Sequence, residues 1–342
     1  DNPLGLYKEE FGYVHKYSKK GNGPVVISAK FYAEKLGNHQ DISKNYAVKD
    51  KKAYFLKEFL NPVYPMGDSI SEIMQKQRIK DCEEYQQKKK RLYEAINRAS
   101  DGNMIRIHEF FRCDSHYYIA TEKVEAQKVL LKDITTYSKT QRLLLCKTIA
   151  HAVKGLHDAH IVHADIKENN ILLKQTRTGS LIGKIIDFDC SFFESDPPKT
   201  EDELGGDQVY LAPEACQFIC GEEVELSCKI DVFALGLLFH QYLTGELPEF
   251  DTNEYDYAFE AVLDDQKLQV SPELPEKMQS MLNGMLEGDP KKRLSMDRVY
   301  RMFDGEEKKN PAETENAVSG RFNEKIDGLK KDDPWFFNPG DL

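Results

Sequence analysis

The chain has 342 residues, of which 40% are hydrophobic and 31% are charged. This composition supplies a sizeable apolar core and excludes disorder throughout the chain. Its 47 Lys and Arg face 58 Asp and Glu, for a net charge of −11, which argues against sequence-independent binding to nucleic acid or to an anionic membrane. We therefore expect neither nucleic acid nor a membrane among its partners.

The chain carries no sequence signal for membrane insertion or secretion. No apolar run approaches the ~18 residues that a spanning helix needs, and the start of the chain lacks the basic and apolar regions of a signal peptide. Seven cysteines, an odd number scattered along the chain, are typical of reduced thiols rather than a disulfide framework. These features predict a cytoplasmic protein.

The first third of the chain is predicted to be rich in strands, with one long helix. A capping box at Ser69–Glu72 opens a polar helix over residues 69–99. Short runs of β-branched and aromatic residues, bounded by Gly, Asn or charged residues, predict the strands. These runs are Val25–Tyr32, Tyr46–Lys49, Tyr54–Leu60, Met104–Phe111 and Tyr117–Thr121.

Helical periodicity replaces the strand pattern after residue 125. Ser138–Gln141 forms a second capping box, and Val232–Leu243 is almost wholly apolar, as expected for a helix buried on every side and closed by Gly245. From Asp304 the chain turns polar and ends in an aromatic cluster near Trp335. We therefore predict a β-rich domain over 1–124, a helical domain over 125–303 and a polar tail over 304–342.

Four polar residues stand out for their chemistry. Asp165, Lys167 and Asn170 lie within six positions, between the apolar end of a helix and an apolar strand, and Asp187 follows a second apolar strand. An amide oxygen and a carboxylate suit a hard cation such as Mg²⁺. The Asp165 carboxylate could accept the proton of an attacking hydroxyl, and Lys167 could neutralise charge on a transferring phosphoryl group.

The pattern around these residues resembles that of the eukaryotic-type (Hanks-type) protein kinases, over roughly residues 25–303. The matching blocks occur in the family's order and at its spacing. They are His163-Ala164-Asp165-Ile166-Lys167 with Asn170, Asp187-Phe188-Asp189, Ala212-Pro213-Glu214 preceded by Gly206 and Tyr210, Asp231 with Gly236, and Asp289-Pro290 with Arg293.

The resemblance implies an α+β fold with two lobes: a small antiparallel sheet with one long helix, and a larger, mainly helical lobe. It further implies a protein serine/threonine kinase that transfers the γ-phosphoryl group of ATP to a protein hydroxyl. In the family's terms, Asp165 and Lys167 are catalytic, Asn170 and Asp187 hold Mg²⁺, and the partners are ATP and a protein substrate with Ser or Thr.

The nucleotide-binding residues follow less directly from the resemblance. The family places a lysine on its third strand, facing the α- and β-phosphates. Lys49 matches the family's sequence context around this lysine, whereas Lys57 fits the strand order better and is favoured here. Gly37 is then placed in the loop that covers the nucleotide. The acidic helix residue that pairs with this lysine is left open among Asp81, Glu83 and Glu84.

The family's hinge strand aligns with Tyr117–Glu122. The resemblance then implies that Thr121 guards the back of the adenine pocket. Backbone groups of Glu122 and Val124 would meet the adenine ring.

Three departures from the family pattern affect this interpretation. The glycine-rich loop is missing, Asp189 replaces the glycine of Asp-Phe-Gly, and Ala164 replaces the arginine that receives an activation-loop phosphate. Two alternatives therefore stay open: a pseudokinase that senses nucleotide or serves as a binding module, and an enzyme that transfers another part of the nucleotide, such as AMP. Because the loop is acidic and Ala164 carries no charge, we expect no activation by loop phosphorylation.

Overall fold

The structure is a computed structural model that describes residues 25–27, 54–66, 71–122, 124, 131–176, 180–200 and 203–304. The described residues up to Arg98, together with 105–124, form one compact unit. Residues 99–104 and the described residues from Leu131 onward form a second. Within the described residues, no helix combines the length and apolarity that crossing a membrane requires.

The first unit contains a four-stranded antiparallel sheet in the order β1-β2-β4-β3. Lys57 lies in a central strand, opposite Val26 on one side and Ile119 on the other. A two-residue turn at Asp114 and Ser115 joins β3 to β4. The strands are β1 (Val25–Ile27), β2 (Tyr54–Phe59), β3 (Ile107–Cys113) and β4 (His116–Glu122).

Helix α1 (Glu72–Ala99) packs against this sheet through aromatic side chains. Tyr85 and Tyr93 each meet the Phe110 ring edge to face, at centroid distances of 6.0 and 5.4 Å. Phe59 adds a third edge contact with Phe110 at 5.7 Å. The exposed remainder of α1 is rich in charge, which explains how so polar a sequence forms a long helix: one narrow apolar face is enough to hold it on the sheet.

The strand predicted over Met104–Phe111 begins only at Ile107, so its predicted start was wrong. Met104 instead forms an isolated bridge with Ile185, and the Ile185 N–H donates to the Asn103 carbonyl at 2.8 Å. Both partners belong to the second unit. Met104 belongs to the core of the second unit, whereas Phe111 belongs to the core of the first. The sequence pattern alone does not distinguish these two cases.

The second unit is built around two buried helices, α2 (Lys139–Asp158) and α4 (Lys229–Thr244). Helix α2 starts with the predicted capping box, in which Ser138 and Gln141 exchange hydrogen bonds. Helix α4 is buried over almost its entire length and ends at Gly245 in the left-handed conformation, both as predicted. The other helices are α3 (Pro213–Ile219), α5 (Ala258–Leu263), α6 (Glu276–Met285) and α7 (Met296–Asp304).

Gly236 allows α4 to approach the end of α6 closely. A Cβ atom at this position would lie 2.8 Å from Cδ2 of Leu286 and 3.2 Å from Cβ of Met285. Since Cβ atoms do not approach other heavy atoms to 2.8 Å, only glycine fits here without a shift of the neighbouring chain.

Two short antiparallel ribbons position the polar loops of the second unit. Strand β5 (Ile161–Val162) pairs with β8 (Phe192–Phe193), and β6 (Ile171–Gln175) pairs with β7 (Leu181–Ile185). The loop that contains Asp165 runs from β5 to β6. Both ends of that loop are therefore fixed by hydrogen-bonded strands.

Candidate active site

The buried carboxylate of Asp231, in the first turn of α4, holds the backbone just before Asp165. Its oxygens accept the N–H of His163 at 2.8 Å and the N–H of Ala164 at 2.9 Å. They also lie 3.0 Å from Nε2 of His157 on α2. Ala164 has φ +65°, a strained conformation for a residue with a side chain. Three contacts to one carboxylate hold the strained backbone in place.

Asp165 stands at the centre of a small hydrogen-bonded cluster. The side-chain amide of Asn170 donates to Oδ2 of Asp165 at 2.8 Å and to its main-chain carbonyl, also at 2.8 Å. Nζ of Lys167 lies 2.8 Å from the same Oδ2. The other oxygen, Oδ1, is buried and accepts no hydrogen bond from the part of the chain that the structure describes. The structure thus brings together three of the four polar residues singled out in the sequence.

Lys167 is held in its charged form by surrounding carboxylates. Partial burial lowers its pKa, but the hydrogen bond and charge of Asp165, together with the charges of Asp207 and Asp187, outweigh that effect and raise the pKa above its ordinary value. Lys167 therefore carries a full positive charge at neutral pH. This positive charge lies directly beside the Asp165 carboxylate.

Asp187 and Asn170 lie at the same end of the β6–β7 ribbon. Asn170 immediately precedes β6, Asp187 follows β7 by two residues, and the Ile186 N–H donates to the Asn170 carbonyl at 2.9 Å. Asp187 has φ +66°, a second strained position in this cluster. An amide and a carboxylate at one ribbon end form an oxygen donor set of the type that Mg²⁺ prefers, so these residues fit the metal that the sequence implies.

His163 and Phe188 connect the two polar loops. The Asp165 N–H donates to Nδ1 of His163, so that ring carries its proton on Nε2, which lies 3.2 Å from the Ile186 carbonyl. The ring also packs against Phe188 at a centroid distance of 4.9 Å. The loop that carries Asp165 and the one that carries Asp187 are therefore joined by both packing and hydrogen bonding.

The first unit carries the residues assigned to the nucleotide. Lys57 shares a sheet face with Phe59 and Ile119, as the strand alternation and register require. Through Phe59 and its contact with Phe110 this is the face on which α1 packs. Lys57 therefore lies on the helix-facing side of the sheet. Lys49 and Gly37 lie outside the described residues.

The acidic residues proposed as partners of this lysine do not face the sheet. Asp81, Glu83 and Glu84 are all exposed, and Asp81 accepts a hydrogen bond from Gln77 one helical turn away. The neighbouring Cys82, rather than any of these three acids, lies on the buried face of α1. Cys82 is buried, and its carbonyl accepts the hydroxyl of Tyr117 at 3.0 Å.

Thr121 and Glu122 end strand β4, and Val124 lies just beyond it. The N–H of Glu122 donates to the Arg106 carbonyl at 3.0 Å, and its carboxylate accepts the Arg106 N–H at 2.9 Å. The N–H of Glu122 therefore already donates a hydrogen bond within the first unit. The adenine contacts assigned to these residues stay predictions.

Asp207 is a residue of this site that sequence reasoning missed, because it was counted only as part of an acidic loop. With Asp165 it lines a small pocket, and its charge helps to keep Lys167 protonated. Its carboxylate also caps the turn that follows, by accepting the Val209 N–H at 3.1 Å. The available signal was its position directly after Gly205-Gly206, a pair that often marks a tight functional loop.

Comparison with known proteins agrees with this geometry. The family model of the protein kinase domain matches residues 70–302, more than half of the chain. The chain belongs to the protein kinase family. A second family model, the CRISPR-Cas9 WED domain, matches residues 1–56, which lie almost wholly outside the described part of the chain.

The curated relatives of this protein kinase are serine/threonine kinases at low identity. The putative ribosomal protein S6 kinase alpha-2 of Caenorhabditis elegans is 24% identical over 216 residues, which cover 58% of this chain and 28% of that protein. Serine/threonine-protein kinase PSK2 of Saccharomyces cerevisiae is 27% identical over 210 residues, covering 60% and 18%. The kinase thus spans less than a third of the length of each of these two relatives.

A solved structure shows the same fold. The kinase PK-1 of Cydia pomonella granulovirus matches with a TM-score of 0.55 and 16% sequence identity, over 88% of this chain and 97% of that one. The α+β kinase fold predicted from the sequence is confirmed. At this identity the likeness concerns the fold alone.

Proposed function

We propose that this protein kinase transfers the γ-phosphoryl group of ATP to a serine or threonine hydroxyl of a protein substrate. The proposal rests on family membership and on one observation, the arrangement around Asp165. One oxygen of that carboxylate is held by Lys167 and Asn170, and the other is buried and accepts no hydrogen bond from any described residue. The second oxygen is the atom suited to accept the proton of an attacking hydroxyl.

Lys167 and Asn170 give Asp165 a fixed orientation before any substrate binds. The two contacts, both 2.8 Å, restrict the rotation of the carboxylate. The charge of Lys167 is then in place to offset negative charge on the transferring phosphoryl group. A side chain that is already positioned and charged needs no rearrangement at the moment of reaction, which is the main source of electrostatic rate enhancement.

Asn170 and Asp187 are the residues we assign to Mg²⁺. The ion, when bound, supplies positive charge that neutralises the phosphates of ATP. Asn170 uses its amide nitrogen on Asp165, so its side-chain oxygen is the atom suited to the metal. We assign Lys57 to the α- and β-phosphates, and Thr121, Glu122 and Val124 to the adenine.

The test is phosphate transfer from ATP labelled on the γ-phosphate, with Mg²⁺ and with one basic and one acidic protein as substrates. We expect Asp165→Ala to lower the rate about 10²–10⁴-fold, because the proton acceptor is lost. Asp187→Asn should lower the rate and raise the Mg²⁺ concentration needed for half-maximal transfer, because a metal ligand is lost. Asp133→Ala, at an exposed residue outside the cluster, serves as the control and should leave the rate unchanged.

The alternatives give different outcomes in the same experiment. A rise in melting temperature with ATP but no transferred label would identify a nucleotide-sensing pseudokinase. Label from the α-phosphate but not from the γ-phosphate would indicate transfer of AMP. Neither label nor a melting shift would overturn the proposal.

A further inference from the structure

Negative charge is concentrated in one stretch of this chain. Residues 194–265 contain 19 Asp and Glu against two Lys and no Arg, whereas the remaining residues contain 45 Lys and Arg against 39 Asp and Glu. Two of the 19 carboxylates, Glu214 and Asp231, are buried and bound within the fold. Most of the others that the structure describes lie at the surface.

A largely apolar groove of about 240 Å³ opens within this stretch. One wall is the segment just after β8, and the other is the loop that joins α3 to α4. Its apolar lining comes from Pro197, Pro198, Phe218, Val224 and Leu226. Two prolines and a phenylalanine form a stiff surface that loses little conformational freedom when a ligand binds.

Carboxylates lie at both walls of this groove. Glu225 lines one wall and is exposed, and Glu223 beside it is exposed as well. Glu194 lines the other wall, where its carboxylate accepts the Cys228 N–H at 2.8 Å and lies 3.0 Å from Nδ1 of His160. Burial raises the pKa of Glu194, but these hydrogen bonds outweigh burial and hold the pKa below its ordinary value, so it is ionised at neutral pH.

The two lysines of the stretch do not cancel this charge inside the groove. Lys229 directs its ammonium group to the carbonyls of Arg293 and Leu294, away from solvent. Lys199 is exposed, and neither lysine is among the residues that line the groove. A ligand here would meet an apolar floor between negative charges.

We propose that this acidic groove docks a segment of the protein substrate in which arginine or lysine alternates with apolar residues. The apolar side chains would pack on the proline and phenylalanine surface, and the cations would meet Glu194 and Glu225. The inference rests on the proposed function, since it names the class of substrate that the kinase receives.

The segment between β8 and α3 explains why the occupant is a substrate. Its first residues, around Pro197, form a wall of the groove, and later residues from Leu204 to Ala212 line the cavity that contains Asp165. Groove and cavity therefore border the same stretch of backbone in the same unit. A polypeptide docked in the groove has its neighbouring residues held at high effective concentration near Asp165.

The binding test uses a twelve-residue fluorescent peptide of alternating Arg and Leu, without Ser or Thr, in buffer free of nucleotide. A peptide of alternating Arg and Gly carries the same charge without the apolar groups. We expect the Arg-Leu peptide to bind about tenfold more tightly, since only it buries apolar surface. Glu223→Lys/Glu225→Lys should weaken its binding about tenfold, since two attractive charge pairs at the rim become repulsive.

A matched control separates the groove from net charge. Glu273→Lys/Glu276→Lys changes the net charge equally, at exposed residues in and just before the first turn of α6, and should leave peptide binding unchanged. Val224→Gln adds a test of the apolar lining and should reduce the advantage of the Arg-Leu peptide. Equal binding of both peptides, or equal weakening by both charge variants, would overturn the proposal that the groove binds this segment.

A kinetic measurement then tests the substrate role. The Arg-Leu segment is appended to a serine peptide, and we expect its KM to fall with kcat unchanged, an effect lost in Glu223→Lys/Glu225→Lys. Normal transfer with no effect of the segment would overturn the docking role and leave the kinase activity standing. Binding in the groove without transfer to any substrate would instead overturn the proposed function and the substrate assignment with it.

Discussion

Single buried carboxylates set the backbone around the candidate site. Asp231 makes three contacts near His163 from a position 68 residues further along the chain. Glu214 is a second buried carboxylate, and it accepts two hydrogen bonds from the Arg293 guanidinium, at 2.6 and 2.9 Å. A buried charge pair is costly to break, because removal of one partner leaves the other charge buried and alone.

The Arg293–Glu214 pair gives a prediction about stability. Arg293 is fully buried, stacks over Phe233 and also donates to main-chain carbonyls. We expect Arg293→Met to lower the free energy of unfolding by about 3–5 kcal/mol, measured by urea denaturation, because the Glu214 charge would lose its partner. Arg301→Met is the control.

The control removes an ion pair of the same type at the surface. Arg301 lies 3.0 Å from Asp297 one helical turn away, with both side chains largely exposed. Its loss should change the free energy of unfolding by less than about 0.5 kcal/mol. Similar losses in the two variants would show that burial of Arg293 contributes nothing.

His240 gives a prediction about pH. Its Nδ1 lies 2.7 Å from the Glu246 carbonyl and its Nε2 accepts the Ser271 N–H at 3.0 Å, an arrangement that needs the neutral ring. Burial lowers the pKa of His240 in the folded state. The unfolded chain then binds more protons below the ordinary histidine pKa of about 6.5, so stability is lost as pH falls below that value.

The measurement is urea denaturation at pH 7, 6 and 5. We expect the decline in free energy of unfolding over this range to be smaller in His240→Gln than in the unchanged protein. His108→Gln, at an exposed position of β3, should keep the full decline. An identical pH dependence in all three proteins would contradict the role of His240.

At the level of elements, the segment from Asp187 to Ala212 carries one of the three departures from the family, and a second, Ala164, bears on how this segment is regulated. Asp189 replaces glycine, and the residues around Thr200 are acidic, with Glu203 exposed and Asp196 partly exposed. Ala164, which donates its N–H to Asp231, carries no charge that could bind a phosphate. A phosphate added to this segment would therefore find no arginine at position 164 with which to pair.

This leads to a prediction about regulation. Thr200 is exposed and open to modification. We expect Thr200→Glu and Thr200→Ala to give the same kcat/KM as the unchanged kinase, because added negative charge would meet like charge and no arginine at position 164. A strong stimulation of Thr200→Glu, or of the protein phosphorylated at Thr200, would contradict it.

The success of element prediction depended on how local its signal was. The capping box at Ser138 and the buried helix around Gly236 follow from residues a few positions apart, and both were found. The strand start at Met104 was missed, because its partner Ile185 lies 81 positions away. The apolar residues of a strand and of an isolated bridge look the same in sequence.

For the whole molecule, net charge is a less informative quantity than its distribution. The value of −11 argued only against anionic partners. Its concentration in residues 194–265 gains meaning from the fold, which places an apolar groove among those carboxylates. Charge beside a groove specifies a ligand in a way that charge on a convex surface does not.

The sequence by itself determined the family and the fold class, because each motif is a short run with fixed spacing. It also singled out Asp165, Lys167, Asn170 and Asp187 as candidate site residues, and their roles stay predictions. Only the tertiary structure decided that Asp231 holds the backbone before Asp165, that Asp207 acts on Lys167, and that the acidic residues of α1 face away from the sheet. The reason is physical: a side chain's field and hydrogen bonds reach neighbours in space, and those neighbours lie tens of residues away along the chain.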